Sequence, residues 1–221
     1  MFDWFKRLFN FVPAMTKKEQ ILEKAEALFS EKGFDATSVR DISKAAGINI
    51  AMISYYFGSK EKLMEELFKM RMSVGLASVR EIAENNELTT VEKLEKALTG
   101  YIDRVKNNKS FYKVILAEQA TNKNKSVIRF LGKSKESYAQ FFATVLAEGY
   151  ESGAFKYKVD PVLFMTTITG TIMQSLLNKH LYATHHGMKV TEEWIRDVYF
   201  DKVKEHLKSI TRNILGYESN S

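Results

Sequence analysis

Apolar residues recur three and four positions apart along nearly the whole chain, and that helical period predicts an all-α protein of about nine helices. Thr16 to Lys32 carries Ile21, Leu22, Ala25, Leu28 and Phe29 on one face. Thr16 and Glu19 stand in the spacing of a capping box at its start, and Gly33 ends it. Val39, Ile42, Ala45 and Ala46 then give a short helix one apolar face, with Gly47 placed as its C-terminal cap. After a turn at Ile48 and Asn49, in which Asn49 can act as N-cap, Ile50 to Phe57 makes about two turns with Ile53 and Phe57 inward. Ile50, Ala51, Met52, Ser54, Tyr55 and Tyr56 stay outward. Ser59 opens a longer helix, with Leu63, Leu67, Met70 and Val74 at helical spacing, that runs to about Ala83. The small bundle so formed has an expected core of Leu28, Phe29, Phe34, Val39, Ile42, Ala46, Ile53, Phe57 and Leu63.

Five further helices follow Thr89. Thr89 with Glu92 caps the first, and Ser110 opens the second. The third spans Asn124 to Glu151, with Gly149 and Gly153 loosening its end. Asp160 and Pro161 start the fourth with a capping carboxylate and a proline in the first turn, and it continues to about Thr184. The last follows Thr191, with Trp194, Ile195, Tyr199, Val203, Leu207, Ile210 and Ile214 along one side. Val162 to Leu181 is apolar almost all round, so it must be buried on more than one face, and a second copy of the chain is the natural cover for the remainder.

A helix, a glycine turn and a second short helix with small, polar and aromatic residues on its free face have the geometry of a helix-turn-helix. The stretch ThrSerValArgAspIleSerLysAlaAlaGly at 37–47, with IleSerTyrTyrPheGlySerLysGluLysLeu at 53–63, closely resembles the DNA-binding signature of the TetR family of transcriptional regulators. The match runs without a gap from roughly Ile21 to Leu67. One departure is Ser54, where the family more often has tyrosine. The resemblance implies an N-terminal three-helix DNA-binding domain over residues 15–62, joined to a larger effector-binding and dimerisation domain over 63–221. It also implies a homodimer built through the last two helices. Two reading helices then reach successive turns of the major groove, about 34 to 36 Å apart.

Charge adds less than the total suggests. The formal net charge is +6, yet between Lys17 and Lys62 the basic and acidic residues nearly balance, and the surplus lies in Arg104 to Lys135. Double-stranded DNA as partner therefore rests on the motif. With no cysteine, a disulfide framework and a thiolate metal site are both excluded, in keeping with a cytoplasmic location. No apolar run approaches the roughly 20 residues of a membrane span, so no membrane partner is expected. Residues 1–14, MFDWFKRLFNFVPA, do not have a signal-peptide pattern. They read equally as an extension upstream of Met15 or as an amphipathic helix packed on the protein or its mate, and less readily as a membrane-surface helix.

If the family geometry holds, Ile50, Ala51, Met52 and Ser54 face base edges, and Arg40 is the one residue able to make a bidentate contact to guanine. Ser38, Asn49, Tyr55, Tyr56 and Lys60 complete the candidate DNA-binding set as phosphate or sugar contacts and helix-end groups. Tyr55 or Tyr56 could instead pack the bundle, and Arg40 could pair with Asp41 or Glu23. The candidate effector pocket comprises Phe130, Phe141, Phe142, Phe164, Met165, Thr169, Met173 and Gln174, with Phe111, Tyr112 and Tyr138 in the same aromatic stripes and Asn178 a further polar group able to orient a ligand. The basic runs RVKNNKSFYK and NKNKSVIRFLGKSK would suit an anionic effector such as an acyl carboxylate, but solvated surface is their plainer reading. His180, His185 and His186 do not share one helical face, and neither a metal nor another cofactor is expected. Neither a phosphate loop nor any nucleophile grouping is present, so catalysis is not expected. The expected function is a dimeric, ligand-responsive repressor released from a palindromic operator by a small apolar or amphipathic effector. The rivals are a DNA-binding module without an effector and a helical enzyme containing a helix-turn-helix-like bundle.

Overall fold

A computed structural model describes residues 15–218, and the expectations for residues 1–14 lie outside that range. The described residues form helices and no strand: α1 (Lys17–Lys32), α2 (Val39–Ala46), α3 (Ile50–Phe57), α4 (Lys60–Glu84), α5 (Thr90–Asn107), α6 (Lys109–Thr121), α7 (Lys125–Glu151) and α8 (Pro161–His185). The last, α9, is composite, with Glu192–Trp194 leading through a π turn at Ile195–Tyr199 into Phe200–Leu215. The chain divides into two compact units, the first ending at Leu67 and the second beginning at Phe68. The break thus falls later than Lys62, because Leu63, Met64 and Leu67, all fully buried, belong to the first unit.

In the first unit α1 packs on α2 and α2 on α3. Its core is Ile21, Leu22, Ala25, Phe29, Ile42, Ile53, Phe57, Leu63, Met64 and Leu67. Leu28, Phe34, Val39 and Ala46 are half-buried, while Ala45, expected on the inner face of α2, is exposed. In the second unit α7 packs on α8, and α5 lies against α6, α7, α8 and α9. Buried residues of α8 recur at Phe164, Ile168, Ile172 and Leu176, leaving Val162, Leu163, Leu177 and Leu181 exposed on other faces of the same helix.

Three departures from the expected elements have physical causes. Val74 is 65% exposed, and α4 turns Gly75 and Val79 inward in its place. Asn108, ahead of Ser110, both ends α5 and begins α6, its side-chain amide donating to the Arg104 carbonyl. In α9 the π turn lets Trp194 and Tyr199, five positions apart, stack at 5.4 Å, and beyond it burial passes to Thr211 and Leu215 while Ile210 and Ile214 are half-buried.

Three helices start with complete capping boxes: Thr16 with Glu19, Ser38 with Asp41, and Thr89 with Glu92. Hydrogen bonds donated by the capping backbone and hydroxyl hold all three carboxyls below their usual pKa. A folded-state pKa below the unfolded one gives stability that is complete above the unfolded value and lost as pH falls through the folded one. Stability should therefore begin to fall near the ordinary carboxylate values of 3.8 and 4.5 and go on falling below them. Urea unfolding across that range should show a shallower pH dependence in the Glu19→Gln, Asp41→Asn, Glu92→Gln triple variant than in the parent. Equal slopes would exclude the caps as its source.

Candidate nucleic-acid interface and effector cavity

The reading segment is fixed at both ends by its own backbone chemistry. Gly47 takes the left-handed conformation, φ 63°, that ends α2, and its amide donates back to Lys44. The Asn49 side chain accepts from the Ala51 amide at 2.9 Å to start α3. Ile53 and Phe57 anchor α3 in the core, so Ile50, Ala51, Ser54 and Tyr55 are exposed, Tyr55 at 83%, with Met52 and Tyr56 half-buried. The two tyrosine rings meet edge to face at 5.2 Å, and Tyr56 also lies against Phe57. Tyr56 is therefore partly a packing residue, whereas Tyr55 stands free of the bundle.

Arg40 lies on the exposed side of α2 and enters no ion pair among the described residues. The Asp41 carboxylate, one possible partner, is instead held by the Ser38 amide at 2.9 Å and its hydroxyl at 2.6 Å. That bond occupies the Ser38 hydroxyl hydrogen, so this side chain is a cap before it is a phosphate donor.

Lys60 differs more from its expected role. Its ammonium donates to the carbonyls of Phe34 and Thr37, both at 2.8 Å, and lies 4.2 Å from the centre of the Phe34 ring. Two of its three N–H groups are thus committed to the α1–α2 connection, which narrows its expected part as a free phosphate contact.

The second unit encloses a cavity of about 340 Å³ among α4 to α8. Of the expected pocket residues, Phe142, Met165, Thr169 and Met173 line it. Phe141 and Phe164 are core residues packed against Phe142 at 5.4 and 5.7 Å, and Phe130 is half-buried away from the lining. Gln174 and Asn178 line a separate, open depression between α8 and α9. Their helix faces explain the split: Gln174 follows Met173 by one residue, about 100° around α8.

Of the polar lining, Tyr112 and Tyr138 are candidates from the sequence, whereas Arg104 and Lys135 belong to the basic runs whose plainer reading is solvated surface, and Arg71 and Tyr101 are not singled out by it. Arg71, Arg104 and Lys135 reach the cavity with Tyr101, Tyr112 and Tyr138, and no acidic residue lines it. Burial pushes the Tyr112 phenol up to about 12, against the opposing pull of the Arg104 guanidinium, and raises Tyr101 and Tyr138 in the same direction. At neutral pH the phenols are therefore neutral hydrogen-bond donors. Gly75 makes room for this group. A Cβ there would lie 2.5 Å from Tyr138 Oη and 3.0 Å from Arg104 Nε. A glycine in the middle of α4, against a tyrosine and arginine on other helices, was the available sequence signal.

Among the described residues no three metal-capable side chains converge, and no helix is long and apolar enough to cross a membrane. His185 and His186 meet each other edge to face at 5.0 Å, and His186 also lies 4.3 Å from the Tyr182 ring.

Residues 21–67 match the sequence profile described as "Bacterial regulatory proteins, tetR family", and 91–204 match "Tetracyclin repressor-like, C-terminal domain". The chain is 28% identical over 203 residues to the "Probable HTH-type transcriptional regulator YttP" of Bacillus subtilis, covering 90% of this chain and 95% of that one. It is 26% identical over 163 residues to the HTH-type transcriptional repressor KstR2 of Mycobacterium tuberculosis, covering 73% and 80%. The solved structure of that ketosteroid regulator superimposes with a TM-score of 0.68 at 23% identity, over 88% of this chain and 96% of its own. The fatty acid degradation regulator FadR from Bacillus halodurans does so with a TM-score of 0.63 at 22% identity, over 87% and 96%. With the reading helix, its caps and the helical second unit all in place, and both units matched by the family's profiles, the chain belongs to the tetR family of transcriptional regulators.

Proposed function

We propose that the protein is a cytoplasmic, homodimeric repressor that binds a palindromic operator through α2 and α3 and releases it when a small apolar or amphipathic effector fills the cavity. The observation that carries the DNA reading is the free face of α3, with Ile50, Ala51, Ser54 and Tyr55 exposed beside an Arg40 in no ion pair among the described residues. The effector half rests on the cavity, whose volume falls in the range of small-molecule sites, about 300 to 1,000 Å³. Similar proteins named for ketosteroid regulation and fatty acid degradation support an apolar ligand. The exposed Val162, Leu163, Leu177 and Leu181 of α8 support the dimer, since a second copy would cover them.

Residues of α4 serve both units: Leu63, Met64 and Leu67 enter the first core, and Met72, Gly75 and Val79 line the cavity. The proposed switch is a two-state one, in which the effector favours a dimer whose reading helices are wrongly spaced for successive major grooves. A differential affinity of about 1–3 kcal/mol changes occupancy roughly five- to 150-fold. A DNA-binding module without an effector would have a packed second unit, and the cavity weighs against it. As for catalysis, the lining supplies cations and neutral phenols and includes no carboxylate.

Selection of bound duplexes from a random pool, repeated with candidate ligands, tests the reading; no enriched palindrome would overturn it. On the selected duplex, Arg40→Ala should lose about 1–3 kcal/mol of binding and relax preference at one base pair. Equal losses on selected and random duplex would remove Arg40 from base reading.

A further inference from the structure

The lining of the cavity combines apolar and basic side chains, and that combination points to its ligand's chemistry. Phe111, Ile115, Leu131, Phe142, Met165 and Ile168 make an apolar wall. The same lining carries the basic side chains Arg71, Arg104 and Lys135 and no acidic residue. Arg104 is half-buried and closely surrounded. Its Nε packs against Gly75 of α4, one of its Nη groups against Gly100 a turn earlier in α5, and its guanidinium carbon stands 6.0 Å from the centre of the Tyr101 ring. Tyr112 and Tyr138 flank the same guanidinium, and Arg104 enters no ion pair among the described residues.

A half-buried guanidinium with no carboxylate partner loses hydration without regaining an anion, and an arriving anion restores the balance. The planar fork suits a two-oxygen acid group, and neutral phenols can donate to the same oxygens. We propose that Arg104, with Tyr112 and Tyr138, receives the carboxylate of a single-chain amphiphile whose hydrocarbon lies along the apolar wall. This deepens the reading of the cavity as the effector site and rests on it. A volume of about 340 Å³ lies near the lower end of the small-molecule range, which favours one chain of modest length over a bulky polycyclic ligand.

The test is direct titration of the full-length protein with hexanoate, decanoate and tetradecanoate and with the three matched alcohols, followed by the same titrations in the presence of the selected duplex. The parent should bind the best carboxylate roughly ten- to a hundredfold more tightly than its alcohol, as expected for a charged hydrogen-bonded pair. Arg104→Met should abolish that preference while leaving alcohol binding within about threefold, since the apolar wall is intact. Tyr138→Phe should reduce the preference by roughly three- to tenfold. Gly75→Ala should reduce it too, because the added methyl displaces the tyrosine hydroxyl and the arginine. These two carry the test if Arg104→Met does not fold. Parent protein that binds alcohols as well as acids, a preference that survives in the variants, or no binding of any member while the duplex is still bound would each overturn the inference and leave the regulatory reading standing. Carboxylate binding with the predicted losses but no effect on the duplex would keep the anchor and overturn effector control of operator binding.

Discussion

Phe155→Ala is expected to destabilise the second unit by about 3–5 kcal/mol, the usual range for truncating a buried aromatic residue. The ring is 1% exposed and serves as a rivet between the α7–α8 connection and the end of α9. It lies 5.6 Å from the Tyr217 ring, while the amides of Lys156 and Tyr157 both donate to the Leu215 carbonyl at 2.8 and 3.2 Å. Its seat is Gly149. A Cβ on that residue would fall within the ring, with Cγ at 2.9 Å and two further ring carbons closer still. Gly149→Ala should therefore cost about 1–3 kcal/mol through overpacking, even though alanine gains about 1 kcal/mol of helix propensity. Once Phe155→Ala has removed the ring, the same glycine substitution should become neutral or slightly stabilising. Urea unfolding of the parent, the two single variants and the double variant measures this coupling. Equal costs for Gly149→Ala in both backgrounds would rule out the ring as the reason for glycine.

This pair also marks where sequence reading stopped. The helix starts were legible because a capping box is local: Thr16 with Glu19, Ser38 with Asp41 and Thr89 with Glu92 each close within four residues. Gly47 and Asn49 were legible for the same reason, and so was the inward pair Ile53 and Phe57, whose face is set by helical period alone. Gly149 read as a loosening of α7 because its partner lies beyond the helix, in a connection with no periodicity to interpret. Arg104 read as solvated surface because the run around it is basic, and only packing against Gly75 on another helix turns it toward the cavity. Period assigns a residue to a face. It does not say whether that face meets water, a neighbour or a void.

Lys60→Ala is expected to weaken binding to every duplex sequence, but through the fold of the first unit as much as through any phosphate. The two charge-assisted bonds from its ammonium tie the carbonyls of Phe34 and Thr37 to the start of α4. Thr37 is itself fully buried, with its hydroxyl donating to the Gly33 carbonyl at 2.8 Å, so the connection between α1 and α2 has little room to adjust. Hydrogen bonds to charged groups contribute about 1.5–3 kcal/mol each, and Lys60 is only half-buried, so water compensates part of the loss. A net cost of about 2–3 kcal/mol is expected for the pair, with the contact to the Phe34 ring included. A unit this small buries a modest share of its surface and has little stability to spare, so such a cost brings opening of α2 and α3 within reach. Hydrogen exchange of the α1–α3 amides should accelerate in Lys60→Ala, and duplex binding should recover on moderate cooling as the folded fraction rises. The dependence of binding on salt should stay that of the parent. A residue acting only as a phosphate contact would do the reverse, reducing the salt slope by about one and leaving exchange unchanged. That second pattern would return Lys60 to the DNA interface.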